Sequence, residues 1–223
     1  MHSLFVTGTD TEVGKTVVSC ALIRQLVAGG LRVAAMKPVA SGAQRVDGEL
    51  RNDDALQLMA AANVELPYAL VNPYCFEPAI APHIAAQQAG VEMSLDKIVS
   101  AYQQIARLAD VVVVEGAGGW FVPLNASQTW ADVAGILELP VMLVVGMRLG
   151  CLNHAMLTAH AVQTRGLQLT GWIANILDPS MPELTHNIDT LKRFIMAPHL
   201  GVMPFLRDVT AKQDVNFKTP FVD

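Results

Sequence analysis

The chain has 223 residues, 52% of them hydrophobic and 16% charged, with a formal net charge of −5. That length suits one domain with a large core, and with no cluster of Lys and Arg there is no surface built for a nucleic-acid backbone. Three cysteines without a CxxC pair argue against a disulfide framework or zinc site and point to the cytoplasm, and no apolar run is long enough to span a membrane.

The opening MHSLFVTGTD lacks a basic region followed by a long apolar stretch, so it does not read as an export signal. Ser3–Thr7 is predicted as a first strand, followed by a Gly-containing loop and a helix from Lys15 to Ala28 that stops at Gly29-Gly30. Arg32–Met36 predicts a second strand ending at Lys37-Pro38. Asn52-Asp53-Asp54 reads as the cap of a helix running to about Ala62. Residues 64–93 carry Pro67, Pro73, Pro78 and Pro82 and read as loops with short elements. Ser94 caps a helix to about Leu108, and Asp110–Glu115 and Val141–Val145 are apolar runs of the kind found in strands buried on both faces. A helix over 151–165, a strand over 169–175, a helix over 183–195 and a short strand near 200–203 follow. Residues 207–223 read as an irregular tail. No repeat or linker divides the chain, so 1–223 is expected to be a single domain.

Strands alternating with helices mean an α/β fold: a three-layer sandwich with a mostly parallel central sheet and helices on both faces. Ligands of such sheets sit outside the carboxyl ends of the strands. Gly8–Thr16, Lys37–Ser41, Glu115–Gly119, Gly146–Asn153 and Asn175 each follow a predicted strand, so these segments are expected on one rim.

The segment Gly8-Thr9-Asp10-Thr11-Glu12-Val13-Gly14-Lys15-Thr16 lies between a strand and a helix. A phosphate-binding P-loop needs glycine so that backbone N–H groups wrap the phosphates, Lys to offset their charge, and Ser or Thr for Mg²⁺. The strict spacing puts its first Gly at position 9, where this chain has Thr9, so the loop is a variant and the fold is expected to be P-loop NTPase-like. Glu115, closing a run of valines beside that loop, is a natural Mg²⁺ partner, because Mg²⁺ takes one or two carboxylates plus phosphate oxygens and water. Asp54 on its own residues is either a helix cap or a metal ligand. Lys37 either stabilises a transferring phosphoryl group or is a solvated surface lysine. Gly150-Cys151-Leu152-Asn153-His154 opens a helix whose free N–H groups suit a carboxylate; the other reading is a plain helix start with Asn153 in solvent.

Taken together, GTDTEVGKT, KPVASG, VEGAGG and Asn175 resemble the dethiobiotin synthetases in order and spacing over most of residues 1–206. The resemblance implies an ATP-dependent cyclo-ligase of biotin biosynthesis. Such an enzyme converts 7,8-diaminononanoate and CO₂ (or bicarbonate) with ATP and Mg²⁺ to dethiobiotin, ADP and phosphate, through a carbamate and a phosphorylated carbamate. It implies that Glu12, Val13, Gly14, Lys15 and Thr16 wrap the phosphates, and that Lys15 and Lys37 act in catalysis. Thr16, Asp54 and Glu115 would hold Mg²⁺. Glu115, Gly116, Ala117, Gly118, Asn175, Pro204, Phe205 and Leu206 fall to the nucleotide, with Asn175 and Pro204–Leu206 resembling its adenine pocket. Thr11, Lys37, Ser41 and Gly118 fall to the diamine and carbamate. Gly150, Cys151, Leu152 and Asn153 would reach the diamine's carboxylate from the neighbouring subunit of a homodimer. The resemblance departs at Ala211, where family members often carry an acidic adenosine contact.

MinD/ParA-like switch ATPases share the architecture, but their loop carries an additional Lys near its start that positions 8–12 lack. No basic amphipathic helix closes the chain to suit a membrane. A larger-substrate ligase such as cobyrinate a,c-diamide synthase carries a glutaminase domain that 223 residues leave no room for.

Overall fold

The computed structural model describes residues 3–207, 215–218 and 221. The chain opens with β1 (Leu4–Gly8), whose five residues are all buried, and passes through the P-loop into α1 (Lys15–Ala28). β2 (Val33–Met36) follows, then β3 (Val39–Ala40) and a hairpin of β4 (Gln44–Val46) and β5 (Glu49–Arg51). The hairpin turns on Asp47 and Gly48, both at positive φ (52° and 84°), the two-residue geometry that suits an antiparallel pair. In α2 (Asp53–Ala61), Asn52 is the N-cap and its side chain accepts the Ala55 N–H at 3.2 Å.

The Pro-rich stretch carries α3 (Tyr68–Val71), β6 (Tyr74–Cys75) and α4 (Pro82–Gln88), in line with short elements between loops. α5 (Leu95–Ala106) is capped by Ser94. The strand expected at 110–115 runs on as β7 (Val111–Gly119), because its glycines continue the ladder and Gly119 pairs with Gly8. A helix with no counterpart in the sequence reading, α6 (Trp130–Ile136), starts in a capping box formed by Thr129 and Asp132. β8 (Val141–Met147), α7 (Cys151–Thr164), β9 (Leu169–Ile176), α8 (Leu184–Phe194) and β10 (His199–Met203) complete the described elements.

Six strands form one sheet in the order β10-β9-β8-β1-β7-β2, every neighbouring pair parallel. Alternate residues of each strand feed opposite faces, the period-two geometry of a sheet covered on both sides. Leu4, Val6, Val111, Val113, Met142 and Val144 pack on one face with α1 and α2, through Val18, Leu22 and Leu58. Phe5, Val112, Val114, Leu143, Val145 and Trp172 pack on the other with α5, α6, α7 and α8, through Ile98, Trp130, Ala155 and Leu191. This is the expected three-layer α/β sandwich. Among the described residues no helix is long and apolar enough to cross a membrane. β1 sits between β8 and β7, so the P-loop leaves the sheet with Glu115 on one side and the end of β8 on the other.

Candidate active site

The P-loop rises from β1 and closes over its end. An added Cβ at Gly8 would lie 2.6 Å from Val13 Cγ2, so glycine is needed for the loop to fold back. Gly14 caps α1 at φ 80°, and a Cβ there would lie 2.1 Å from Asn175 Nδ2. The Asn175 amide, at the end of β9, donates to the Val13 carbonyl at 2.8 Å and fixes the loop from the neighbouring strand. Glu12 takes a left-handed φ of 58°, a conformation that costs of order 1 kcal/mol and persists only where the surroundings impose it. α1 therefore begins with its first N–H groups facing the rim, at the positive end of its dipole.

The chemistry gathers at the ends of β2 and β7. Glu115, fully buried, takes a hydrogen bond from Thr16 Oγ1 at 2.8 Å and from Lys37 Nζ at 2.6 Å, both through Oε1. Lys37 Nζ also donates to the Gly116 carbonyl at 3.2 Å and lies 3.2 Å from Asp54 Oδ2. Lys37 is 3% exposed, which excludes the surface-lysine reading. Burial works against its charge, but the Glu115 and Asp54 carboxylates outweigh that and raise its pKa, so Lys37 is a cation at neutral pH. Asp54 is not the helix cap, since Asn52 fills that place. Burial pushes the Asp54 carboxyl up, yet Lys37, Thr16 and Lys15 bring it down on balance, so it is an anion at neutral pH.

Lys15 is buried at the base of the loop, and its ammonium donates to the Asp10 carbonyl at 3.0 Å. Burial first, then the neighbouring Lys37 charge, lower its pKa to about 8. The Asp10 carboxylate accepts the Thr11 N–H at 2.8 Å and pairs with Arg148, which lies just before α7. Neither Asp10 nor Arg148 stands out in the sequence, because their pairing spans two strand ends far apart in the chain.

Glu115 Oε2 is buried and finds no hydrogen-bond partner among the described residues. A buried carboxylate oxygen without a partner is costly. With Asp54 and the Thr16 hydroxyl beside it, it offers hard oxygen donors of the kind Mg²⁺ takes. The donor set therefore fits that ion. Among the described residues no group of three or more His, Cys, Asp or Glu gathers for a metal, so phosphate oxygens and water would complete its shell.

Above the cluster lies a cavity of about 780 Å³. Its floor carries Lys15, Thr16, Lys37 and Asp54; Thr11, Glu12, Ser41 and Gly118 line it, and Ala79–Pro82 form an apolar wall that sequence reasoning did not single out. Val13, Glu115 and Gly116 are outside the lining, Glu115 being wholly shut from solvent. Asn175, Pro204, Phe205 and Leu206 lie at the ends of β9 and β10, also outside the cavity lining. Gly150, Cys151, Leu152 and Asn153 do not line it either. Cys151 is buried, Asn153 is exposed and Leu149 is 97% exposed. Ala211 lies outside the described residues.

A family model described as an AAA domain matches residues 2–213. A curated relative, the ATP-dependent dethiobiotin synthetase BioD of Pseudomonas paraeruginosa (strain DSM 24068 / PA7), is 50% identical over 209 residues, spanning 93% of this chain and 92% of that protein. The protein of the same name from Pseudomonas aeruginosa (strain UCBPP-PA14) is 49% identical over 211 residues, spanning 94% of this chain and 92% of its own. Among solved structures, the MinD cell division protein of Aquifex aeolicus superposes with a TM-score of 0.57 at 14% identity, covering 94% of this chain and 86% of that one. A ParA family ATPase from Chlorobium tepidum TLS gives 0.57 at 14% identity, covering 94% and 87%. At that identity the structural likeness speaks for the P-loop fold and for nothing further.

Proposed function

The chain belongs to the AAA-domain family and, within it, to the ATP-dependent dethiobiotin synthetases, and from that premise we propose the chemistry its site performs. The enzyme is a carbon–nitrogen ligase that consumes ATP and closes a cyclic urea on 7,8-diaminononanoate with CO₂. The observation that carries this reading is the buried Lys37–Glu115–Thr16 unit, with Asp54 beside it, under a cavity large enough for a triphosphate and a second substrate.

In the reaction one amine captures CO₂ and loses a proton, giving a carbamate. A carbamate oxygen attacks the γ-phosphorus and ADP departs. The second amine then attacks the carbamate carbon, the C–O bond to the phosphoryl group breaks, and phosphate leaves with that oxygen. Carbamate and triphosphate are both anionic, so the work of the protein is to bring them together and to offset charge. Glu12–Thr16 offers backbone N–H groups and the α1 dipole to the phosphates. Lys15 and Lys37 meet the charge that builds on the transferring group, and Lys37, held protonated by Glu115 and Asp54, acts as a donor and not as a base. Thr11, Ser41 and the Gly118 backbone line the cavity where the carbamate would sit. Thr16, Asp54 and Glu115 would hold Mg²⁺, which supplies charge neutralisation on the phosphates when bound. Asn175 and Pro204–Leu206, at the neighbouring strand ends, are assigned to the adenine side. No nucleophilic side chain is needed, because the substrate brings its own amines.

The diamine's carboxylate lies several methylenes from the reacting nitrogens, and the start of α7 is the candidate to receive it. The resemblance to the dethiobiotin synthetases implies a homodimer in which each α7 start serves the partner's cavity, and Gly150–Asn153 line no part of the cavity in their own chain. The setting is the cytoplasm, with no nucleic acid or membrane among the partners.

Mass spectrometry of a mixture with the diamine, ¹³C-bicarbonate, ATP and Mg²⁺ tests the assignment. The expected result is a labelled cyclic urea with ADP and phosphate in equal amounts. ATP hydrolysis at the same rate without diamine would overturn it in favour of a switch ATPase.

A further inference from the structure

Lys37 and Asp54 come from different segments, yet their charged atoms are 3.2 Å apart. Behind both segments runs a set of buried amides and one phenol on the stretch between Asn52 and Tyr74. The Lys37 backbone is gripped at both its polar groups: its N–H donates to the Val71 carbonyl at 2.9 Å, and its carbonyl accepts from Asn72 Nδ2 at 2.6 Å. The same Asn72 amide donates to the Tyr74 carbonyl at 3.1 Å. On the other side, Asn52 caps the helix that carries Asp54, and its Nδ2 reaches back to the Ser41 carbonyl at 3.3 Å.

The Tyr68 hydroxyl joins the two sides. It accepts the Asn52 N–H at 2.8 Å and donates to Asn72 Oδ1 at 2.9 Å. Its ring is covered by Arg51, whose guanidinium carbon is 4.2 Å from the centroid. Asn52 and Asn72 are both buried, so neither amide has bulk water to turn to if the phenol is removed. One hydroxyl thus links the Lys37 loop, the cap of the Asp54 helix and, through Asn52, the Ser41 backbone.

We propose that Tyr68, acting through Asn72 and Asn52, is a positioning residue that sets the Lys37–Asp54 spacing on which phosphoryl transfer depends. The proposal rests on the functional reading above. It predicts that function is sensitive to a group that lines no part of the cavity, since small misplacement of a charge-stabilising group is expensive in rate.

The test is Tyr68→Phe, which keeps the ring and its cover and deletes the bridging oxygen. The kinetics are measured with the diamine, bicarbonate, ATP and Mg²⁺, and melting curves and active-site titration report the folded fraction. The expected result per folded molecule is a kcat lower by about tenfold or more, an ATP KM changed far less, and a higher Mg²⁺ concentration for half activity. In a Lys37→Gln background the same change should cost several-fold less in kcat, because one of the two groups whose spacing it sets is already gone. Equal losses in both backgrounds, or an unchanged kcat and Mg²⁺ dependence in Tyr68→Phe, would overturn the proposal while leaving the function intact. A wild-type chain that makes no cyclic urea would overturn the functional reading, and the proposal with it.

Discussion

The two strand ends that flank the P-loop are built differently. At the end of β7, Glu115 is fully buried and bound by Thr16 and Lys37 within one chain. At the end of β8, the turn into α7 shows Leu149 at 97% exposure and places Gly150–Asn153 outside the cavity. On the phosphate side, Lys37 is thus already paired with Glu115 and Asp54 within one chain, Lys37 and Glu115 being shut from solvent. The start of α7, proposed as the carboxylate site, lines no part of the cavity in its own chain. Preorganisation marks the region that must stabilise a transition state, and exposure marks the region proposed to act only against a second copy.

The strongest way to break this contrast is Glu115→Gln. It keeps the side chain's size and removes the charge that pairs with Lys37, so turnover should fall on the order of 10³-fold with the fold intact by circular dichroism. Near-normal activity at ordinary Mg²⁺ would remove Glu115 from the metal site. Lys37→Gln should lower kcat by about 10²–10³ with a smaller change in ATP affinity, since its interaction grows as charge develops. An unchanged kcat in steady-state assays would deny it a catalytic part.

Lys15 sharpens the phosphate side through pH. Its pKa in the folded protein is about 8 against an ordinary 10.5. Nucleotide phosphates favour the charged form, so ATP affinity should weaken as pH rises past 8, by at most about tenfold per pH unit. Titration calorimetry near pH 8.5 in buffers of different ionisation enthalpy should record proton uptake on binding; no uptake would contradict the assignment. For folding the sign is the reverse of a stabilising ion pair. Between pH 8 and 10.5 the unfolded chain holds this proton more tightly than the folded one, so Lys15's destabilising effect is present in full below 8 and relieved across that window. The smallest effect is expected on the exposed side. Leu149→Asp should leave the melting temperature within a few degrees and shift the sedimentation profile toward monomer, with activity falling at low protein concentration. An unchanged profile would take Leu149 out of the interface.

These regions also differ in how far they could be read from residues alone. The P-loop, the end of β7 and the start of α7 are local signals, each a short segment following an apolar strand, and all fall at the strand ends where they were expected. Asp54 is ambiguous in sequence because an acid early in a helix is ordinarily a dipole partner, and only the fold shows Asn52 taking the cap while Asp54 turns to Lys37. Tyr68, Asn72, Asp10 and Arg148 carry no local mark, since each acts through a partner brought near by the sheet. Two features did carry one: Asp47-Gly48 is a hairpin turn, and Thr129 with Asp132 is the capping box of α6.

Subunit mixing tests the central contrast most directly. Chains carrying Lys15→Ala lack the phosphate half, and chains carrying Asn153→Glu place an anion in the proposed carboxylate site of the partner. Each homodimer should be nearly inactive, whereas a heterodimer joins the intact loop of one chain to the intact α7 start of the other. After verified subunit exchange of equal amounts, activity should recover to about a quarter of wild type, as two-fold symmetry requires. No recovery, or full activity in a verified monomer, would contradict a site shared between two copies.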